Sequence, residues 1–246
     1  MDQASFHQTE NTYSRASSLE KVRRLYDFGV TKKLQILDAG CGDGKVGGEL
    51  VALGHEVHGM DVAQDALAQA ARKGVVPHTA DIEKLWPFTD HRFDVVLLLD
   101  VIEHVYDPEQ LLQEAKRVLK PDGVILLTAL NHFGVRNRLR YLTGRSGIVH
   151  WNHTQRYQPW RYSHIRFMRL EEALRLIEVT GLSATALQLN FMGDGIVPAR
   201  ALPKIVRRKL LRTWPNLFSG KFIFRLEHKR DVAPRYILID RTPNGL

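Results

Sequence analysis

The sequence predicts an α/β domain in which a mostly parallel sheet carries helices on both faces. Three observations predict it. Residues 34–37 form a short apolar run that ends at Asp38 and enters a loop with glycine at every second position, Gly40, Gly42 and Gly44. The helical pattern of residues 45–53 follows directly, so strand, glycine loop and helix make the first half of a nucleotide-binding βαβ unit. Residues 93–99 are a continuous apolar run, as expected of a central parallel strand covered on both sides. Finally, Asp107-Pro108-Glu109-Gln110 is a helix start, with a capping acid, proline in the first turn and glutamine three residues after the cap.

The remaining elements fall around these. Residues 1–20 are polar, lack the apolar core of a signal peptide and read as a loosely structured arm. A helix over 19–28 places Val22, Leu25 and Tyr26 on one face and closes at Gly29. The second strand is 56–61, followed by an alanine-rich helix over 65–72. Residues 75–81 are a third strand, whose Pro77 suits a sheet edge. The helix from Asp107 runs to Leu119 and stops at Lys120-Pro121-Asp122-Gly123, and strand five follows at 124–128. A further helix spans 170–180, with strand six at 183–190 and strand seven at 236–240. Two stretches break the alternation. Residues 131–164 are long, basic and aromatic, and read as a substrate lid. Residues 192–234 read as a basic insertion before the last strand, and the whole chain, 1–246, as one domain.

Composition narrows the function classes. The longest apolar runs are far too short to cross a bilayer. Cys41 is the only cysteine, which excludes an intrachain disulfide and fits a reducing, cytoplasmic compartment. No neighbouring base marks it as a nucleophile, so it reads as a small residue filling a tight loop. The formal charge of +8 favours anionic partners, and nothing in the pattern singles out nucleic acid.

The glycine loop admits two ligands. Gly42-Asp43-Gly44-Lys45-Val46-Gly47 spells the dinucleotide pattern G-x-G-x-x-G, a weak signal alone. A pyrophosphate there would meet Asp38 and Asp43, and like charges in a partly dry cleft repel. S-adenosylmethionine (SAM) carries an ammonium and a sulfonium instead, which an acidic loop suits. The run Asp38-Ala39-Gly40-Cys41-Gly42-Asp43-Gly44 resembles the first motif of the class I SAM-dependent methyltransferases, and Leu119-Lys120-Pro121-Asp122-Gly123 resembles the sequence preceding their fifth strand.

That resemblance implies a Rossmann-like fold with seven strands, and SAM as cofactor, leaving as S-adenosylhomocysteine. It implies a cofactor site from Asp38, Gly40, Cys41, Gly42, Gly44, Asp61, Val62, Asp81, Ile82 and Asp100. Within it Asp61, about twenty residues past the loop, would take the ribose hydroxyls. Asp81 would meet the adenine amino group and Ile82 the ring, while Tyr13 or Arg15 would reach the SAM carboxylate.

In-line methyl transfer needs little beyond positioning and, for a hydroxyl acceptor, a proton acceptor. His104, after strand four, is the first candidate base and His132, after strand five, the second. The expected site holds no metal, with one alternative. Asp100, Glu103 and His104 form a D-x-x-E-H run that resembles the metal-binding E-x-x-E-H of ubiquinone-type and small-RNA 2′-O-methyltransferases. His164-Ile165-Arg166-Phe167 resembles their downstream H-x-x-F. By this resemblance Glu103, His104 and His164 would hold a divalent ion that orients a diol.

The expected acceptor is a hydroxyl on a small molecule, a glycan or a lipid-linked intermediate. Residues 131–138 also resemble a run in MetW-like proteins, which implies a rival class: a SAM-binding regulatory partner with little turnover. Read as a helix, residues 204–214 gather Val206, Leu210 and Trp214 on one face among many basic residues, a pattern suited to peripheral contact with an anionic inner membrane face.

Overall fold

The computed structural model describes residues 18–29, 31–144, 164–191 and 202–239. Eight strands form one sheet: β1 (Gln35–Ala39), β2 (Glu56–Asp61), β3 (Val76–Thr79), β4 (Phe93–Leu98), β5 (Leu119–Leu130), β6 (Leu182–Phe191), β7 (Ser219–His228) and β8 (Arg235–Ile239), in the order β3-β2-β1-β4-β5-β7-β6-β8. The first five pair in parallel, β7 runs antiparallel to both β5 and β6, and β8 lies parallel to β6 on the edge. The helices are α1 (Ser18–Val22), α2 (Lys45–Ala52), α3 (Gln64–Arg72), α4 (Pro108–Val118), α5 (Val135–Leu142), α6 (Leu170–Val179), α7 (Lys204–Thr213) and α8 (Pro215–Phe218).

Strand periodicity sorts the core into two layers. Ile36, Val95, Leu97 and Leu126 point to one face, where they pack with residues of α1, α2 and α3. Leu37, Val96, Leu98 and Leu127 point to the other, against α4, α6 and Leu211 of α7. Strand order reverses between β1 and β4, and in such sheets the crevice beyond the carboxyl ends at that point takes the ligand. Asp107 starts α4 as expected, accepting hydrogen bonds from the Glu109 and Gln110 amides at 3.0 and 2.9 Å.

Two glycines of the loop are required by space as well as by conformation. Gly44 has φ +70°, and a Cβ there would lie 2.5 Å from that of Ala70. This glycine brings α2 and α3 together. Gly40 has φ +77°, and its Cβ would meet Val101 Cγ2 at 2.7 Å. Here the backbone passes close under the chain that follows β4.

The structure departs from the sequence reading in four places. Among the described residues the sheet has eight strands, not seven. The strand read at 236–240 is the edge strand β8, and the antiparallel β7 lies inside the stretch read as an insertion, 192–234. Its buried Phe222, Ile223 and Phe224 sit between Lys221 and Arg225, and those cations masked the strand. The first helix ends at Val22 instead of near Phe28; the Leu25 amide then bonds to the Val22 carbonyl at 2.8 Å in a tighter turn that still buries Leu25 and Phe28.

The third departure is α5, which occupies part of the segment read as an irregular lid, 131–164; residues 145–163 of that segment lie outside the described residues. The fourth is α7. It packs on β6 and β8 through Leu211, with Leu210 half-buried, whereas Val206 and Trp214 of the expected apolar face are exposed. No helix of the described residues is long and apolar enough to cross a membrane.

Candidate cofactor cleft and the histidine cluster beside it

At the carboxyl edge of β1, β2 and β4 lies a cavity of about 200 Å³. Of the residues expected to hold the cofactor, Gly40, Gly42, Asp61, Val62, Asp81, Ile82 and Asp100 line it, together with the candidate base His104. Ala63, Ala80, Glu83, Val101 and Val105 complete the wall, most of them sequence neighbours of the residues already named. Asp61 ends β2 and is bonded to both adjoining loops. Its Oδ2 accepts from the Gly42 amide and its Oδ1 from the Ala63 amide, both at 2.9 Å. Each oxygen keeps a second lone pair with which to accept a ligand hydroxyl. Asp81 Oδ1 accepts from the Glu83 amide at 2.9 Å, which fixes the turn that presents Ile82.

Among the described residues, four carboxylates therefore line the cavity, Asp61, Asp81, Glu83 and Asp100, and none of the described lining residues is a lysine or arginine. A pyrophosphate would meet these carboxylates at close range, where like charges repel. Asp43, the other acid of the loop, faces away and pairs with Lys73 at 2.8 Å.

Three expected cofactor residues stand behind the cavity wall. Gly44 packs α2 on α3. Cys41 lies against β2, where a Cβ on Gly59 would come within 2.7 Å of its sulfur. Burial, then Asp38 and Asp61, push its thiol well above the usual range, so it is an inert filler. Asp38 is buried at the end of β1. Burial above all, with Asp61 and Asp43 adding repulsion, raises its pKa to about 7. Tyr13 and Arg15 lie outside the described residues.

Asp100 turns the chain out of β4 with a left-handed backbone, φ 57°. Its amide donates to Thr128 Oγ1 at 2.6 Å, and its carboxylate accepts from that hydroxyl at 2.8 Å. Lys221 of β7 also binds it, at 2.5 Å. Lys221 was not anticipated, because no sequence signal marked its segment as part of the sheet. These contacts fix the Asp100 carboxylate at the cavity wall, which it shares with His104.

Glu103, His104 and His164 do come together, with one ligand atom from each within 4.8 Å of the others. The Glu103 carbonyl accepts from the Ile165 and Arg166 amides at 2.9 and 3.2 Å, which pins the segment carrying His164 to the loop after β4. Glu103 is buried, and its Oε2 has no hydrogen-bond partner. Burial first, then Asp100, raise its pKa to about 7, while Lys221 opposes them. His132 does not line the cavity. It is buried behind His164, with its Nε2 3.0 Å from His164 Nδ1 and its ring edge-on to Phe167. Burial lowers its pKa to about 4, so the ring is neutral.

Comparison with known proteins agrees with this geometry. The methyltransferase domain model matches residues 37–127. A ubiquinone biosynthesis O-methyltransferase of Dinoroseobacter shibae is 30% identical over 174 residues, which cover 69% of this chain and 68% of the relative. This chain belongs to the class I SAM-dependent methyltransferases. The enzyme of the same designation from Idiomarina loihiensis is 31% identical over 160 residues, 62% of this chain, and the match spans 63% of that relative's length. Among solved structures, a SAM-dependent methyltransferase of Thermotoga maritima, described as a possible histamine N-methyltransferase, superposes with a TM-score of 0.57 over 91% of this chain and 98% of its own, at 19% identity. That likeness shows the shared fold. SAM is thus the cofactor of the methyltransferase.

Asp38 gives this site a measurable pH signature. Its folded-state pKa of about 7 lies above the unfolded value of 3.8, so between these the folded protein binds the extra proton. Stability attributable to this group is complete below about pH 4 and is lost as pH rises toward 7. Melting curves of wild type and Asp38→Asn should diverge over that window, with the wild type losing ground as pH rises. Parallel pH profiles would refute the assignment.

Proposed function

We propose that the protein methylates a hydroxyl group of a small-molecule acceptor with SAM. The supporting observation is the cleft of four carboxylates, with no cation among its described lining residues, opening beside a Glu/His/His cluster. In this reading Asp61 takes the ribose hydroxyls, Asp81 the adenine amino group and Ile82 its ring. SAM supplies a methyl group on a sulfonium, whose departure as a neutral thioether needs no acid. The residues of this chain hold the acceptor in line and accept its proton, with His104 at the boundary of cleft and cluster. Asp61→Ala should weaken SAM binding by tens to hundreds of fold in calorimetry, as loss of about 2–3 kcal/mol of charge-assisted hydrogen bonding implies. Unchanged affinity, or a wild-type preference for NADH, would sink it. Formation of S-adenosylhomocysteine with catechol-like and other hydroxylated acceptors separates an enzyme from a SAM-binding regulatory protein, in which SAM would bind without turnover.

A second reading concerns a cation. The donor set fits one: a buried carboxylate with an unbonded oxygen and two imidazoles, one ligand atom of each lying within 4.8 Å of the others. Glu103, His104 and His164 would hold a divalent ion, which would lower the pKa of an acceptor hydroxyl. Asp100 is not part of the set, being engaged by Thr128 and Lys221. Titration with Mg²⁺, Mn²⁺ or Zn²⁺ should show one site that is lost in Glu103→Gln, and chelation should abolish turnover. Full turnover in excess chelator would leave His104 as proton acceptor alone.

The finer reading of the acceptor, as lipid-linked or otherwise anionic, draws on α7. Lys204, Arg208, Lys209 and Arg212 are exposed there beside Ile205 and Trp214, which are 78% and 54% exposed. We infer that this surface rests on anionic bilayers, each basic group contributing up to about 1 kcal/mol near the surface. Anionic vesicles should retain more protein than neutral ones at low salt, and equal retention would remove the membrane from the proposal.

A further inference from the structure

The acidic cleft suits only part of its cofactor, a point that rests on the SAM reading above and deepens it. SAM ends in an α-amino acid, whose ammonium and carboxylate sit on one carbon. Asp61, Asp81, Glu83 and Asp100 favour the ammonium and the sulfonium, but they repel the carboxylate. A cation has to reach the amino-acid end. Lysines pair with two of the lining carboxylates. Lys84 lies 3.4 Å from Asp81, at the end read as the adenine site, and its side chain is 77% exposed. Lys221 lies 2.5 Å from Asp100, at the end of β4, and its side chain is only 24% exposed.

We propose that Lys221 binds the SAM carboxylate while Asp100 binds the adjacent ammonium, so that this ion pair reads the amino-acid end of the cofactor as a zwitterion. Both members are held for that task. Asp100 Oδ1 accepts from Thr128 Oγ1 at 2.8 Å and from Lys221 Nζ, and the Asp100 amide donates to the same hydroxyl, which orients the carboxylate at the wall. Lys221 is fixed at its backbone by the pairing of β7 with β5, opposite Leu130. Strand alternation gives it the same face as Ile223, which packs in the layer of α1. Its flexible stem carries an ammonium with three N–H donors, and the bond to Asp100 uses one. The pair is also open to a ligand, the Asp100 side chain being 38% exposed. A vicinal ammonium and carboxylate laid against it give each of the four charges an opposite neighbour.

Calorimetry with SAM and with decarboxylated SAM, which keeps the sulfonium and the amine but lacks the carboxylate, reads this directly. Without a cation for the carboxylate, the acidic cleft would favour the decarboxylated ligand. The wild type should instead bind SAM about 10- to 100-fold more tightly. Lys221→Met should erase or invert that preference, through loss of SAM affinity. A merely structural role for Lys221 would weaken both ligands alike and leave their ratio unchanged. Where Lys221→Met fails to fold because the Asp100 charge is left unpaired, Asp100→Asn/Lys221→Met removes both charges. It reads the same ratio, since both ligands carry the amine. Equal or tighter binding of decarboxylated SAM by the wild type overturns the proposal. So does a preference for SAM that survives the loss of Lys221, which would return the carboxylate to Tyr13 or Arg15. Failure of the wild type to bind either ligand would refute the cofactor reading instead, and is thereby distinguishable.

Discussion

Asp61 stands where two loops must be held at once. Its two oxygens bond the Gly42 amide of the glycine loop and the Ala63 amide at the start of α3, so one carboxylate joins the exits of β1 and β2. The glycine loop winds through left-handed conformations at Gly40, Gly42 and Gly44, which the absence of a Cβ permits, and the bond from Gly42 to Asp61 ties its middle to the end of β2. Backbone N–H groups solvate the Asp61 charge in place of a basic side chain. The cleft therefore stays acidic and favours a cationic ligand over a phosphate. The neighbouring Asp38 bears the cost of that design, buried and pushed toward neutrality beside it.

On the other side of the cleft a single cation does comparable work for two carboxylates. Lys221 binds Asp100 directly and also offsets part of the rise that burial and Asp100 impose on the pKa of Glu103. It arrives from β7, which reaches this position by running antiparallel beside β5, where Lys221 pairs with Leu130. The first residue after β5 is Asn131, whose side-chain amide donates to the Asn216 and Ser219 carbonyls at 3.0 and 2.6 Å, and His132 follows. The cofactor side and the histidine cluster are thus joined through the end of β5 and the start of β7.

The first half of the fold was legible in the sequence because its signals are local. A glycine loop, a proline after a capping acid and a continuous apolar strand each report on a few adjacent residues; Asp61 was read from its spacing to the loop, and Asp81 and Ile82 from the family resemblance. The cluster was legible in part. Glu103, His104 and His164 were grouped by resemblance, but His132 was read as a base in its own right, since the contact that turns it toward His164 joins residues 32 apart in the chain. Adjacency in sequence could not reveal the left-handed backbone of Asp100 or its contacts with Thr128 and Lys221. β7 was missed for a related reason. Its pattern mixes the cations Lys221 and Arg225 with a buried core triplet, and only its neighbours β5 and β6 explain how both are accommodated.

The position of β7 also bears on biosynthesis. β5 and β6 are not neighbours in the sheet; the later-made β7 lies between them. Until the ribosome has released residues 219–228, each of those strands presents a long, apolar edge with unmade backbone hydrogen bonds. The amino-terminal half, β1 to β5 with α1 to α4, can assemble during translation, whereas the carboxyl-terminal half closes in a late step. A nascent chain halted between β6 and β7 is the species most exposed to aggregation, and the one a chaperone would have most reason to bind.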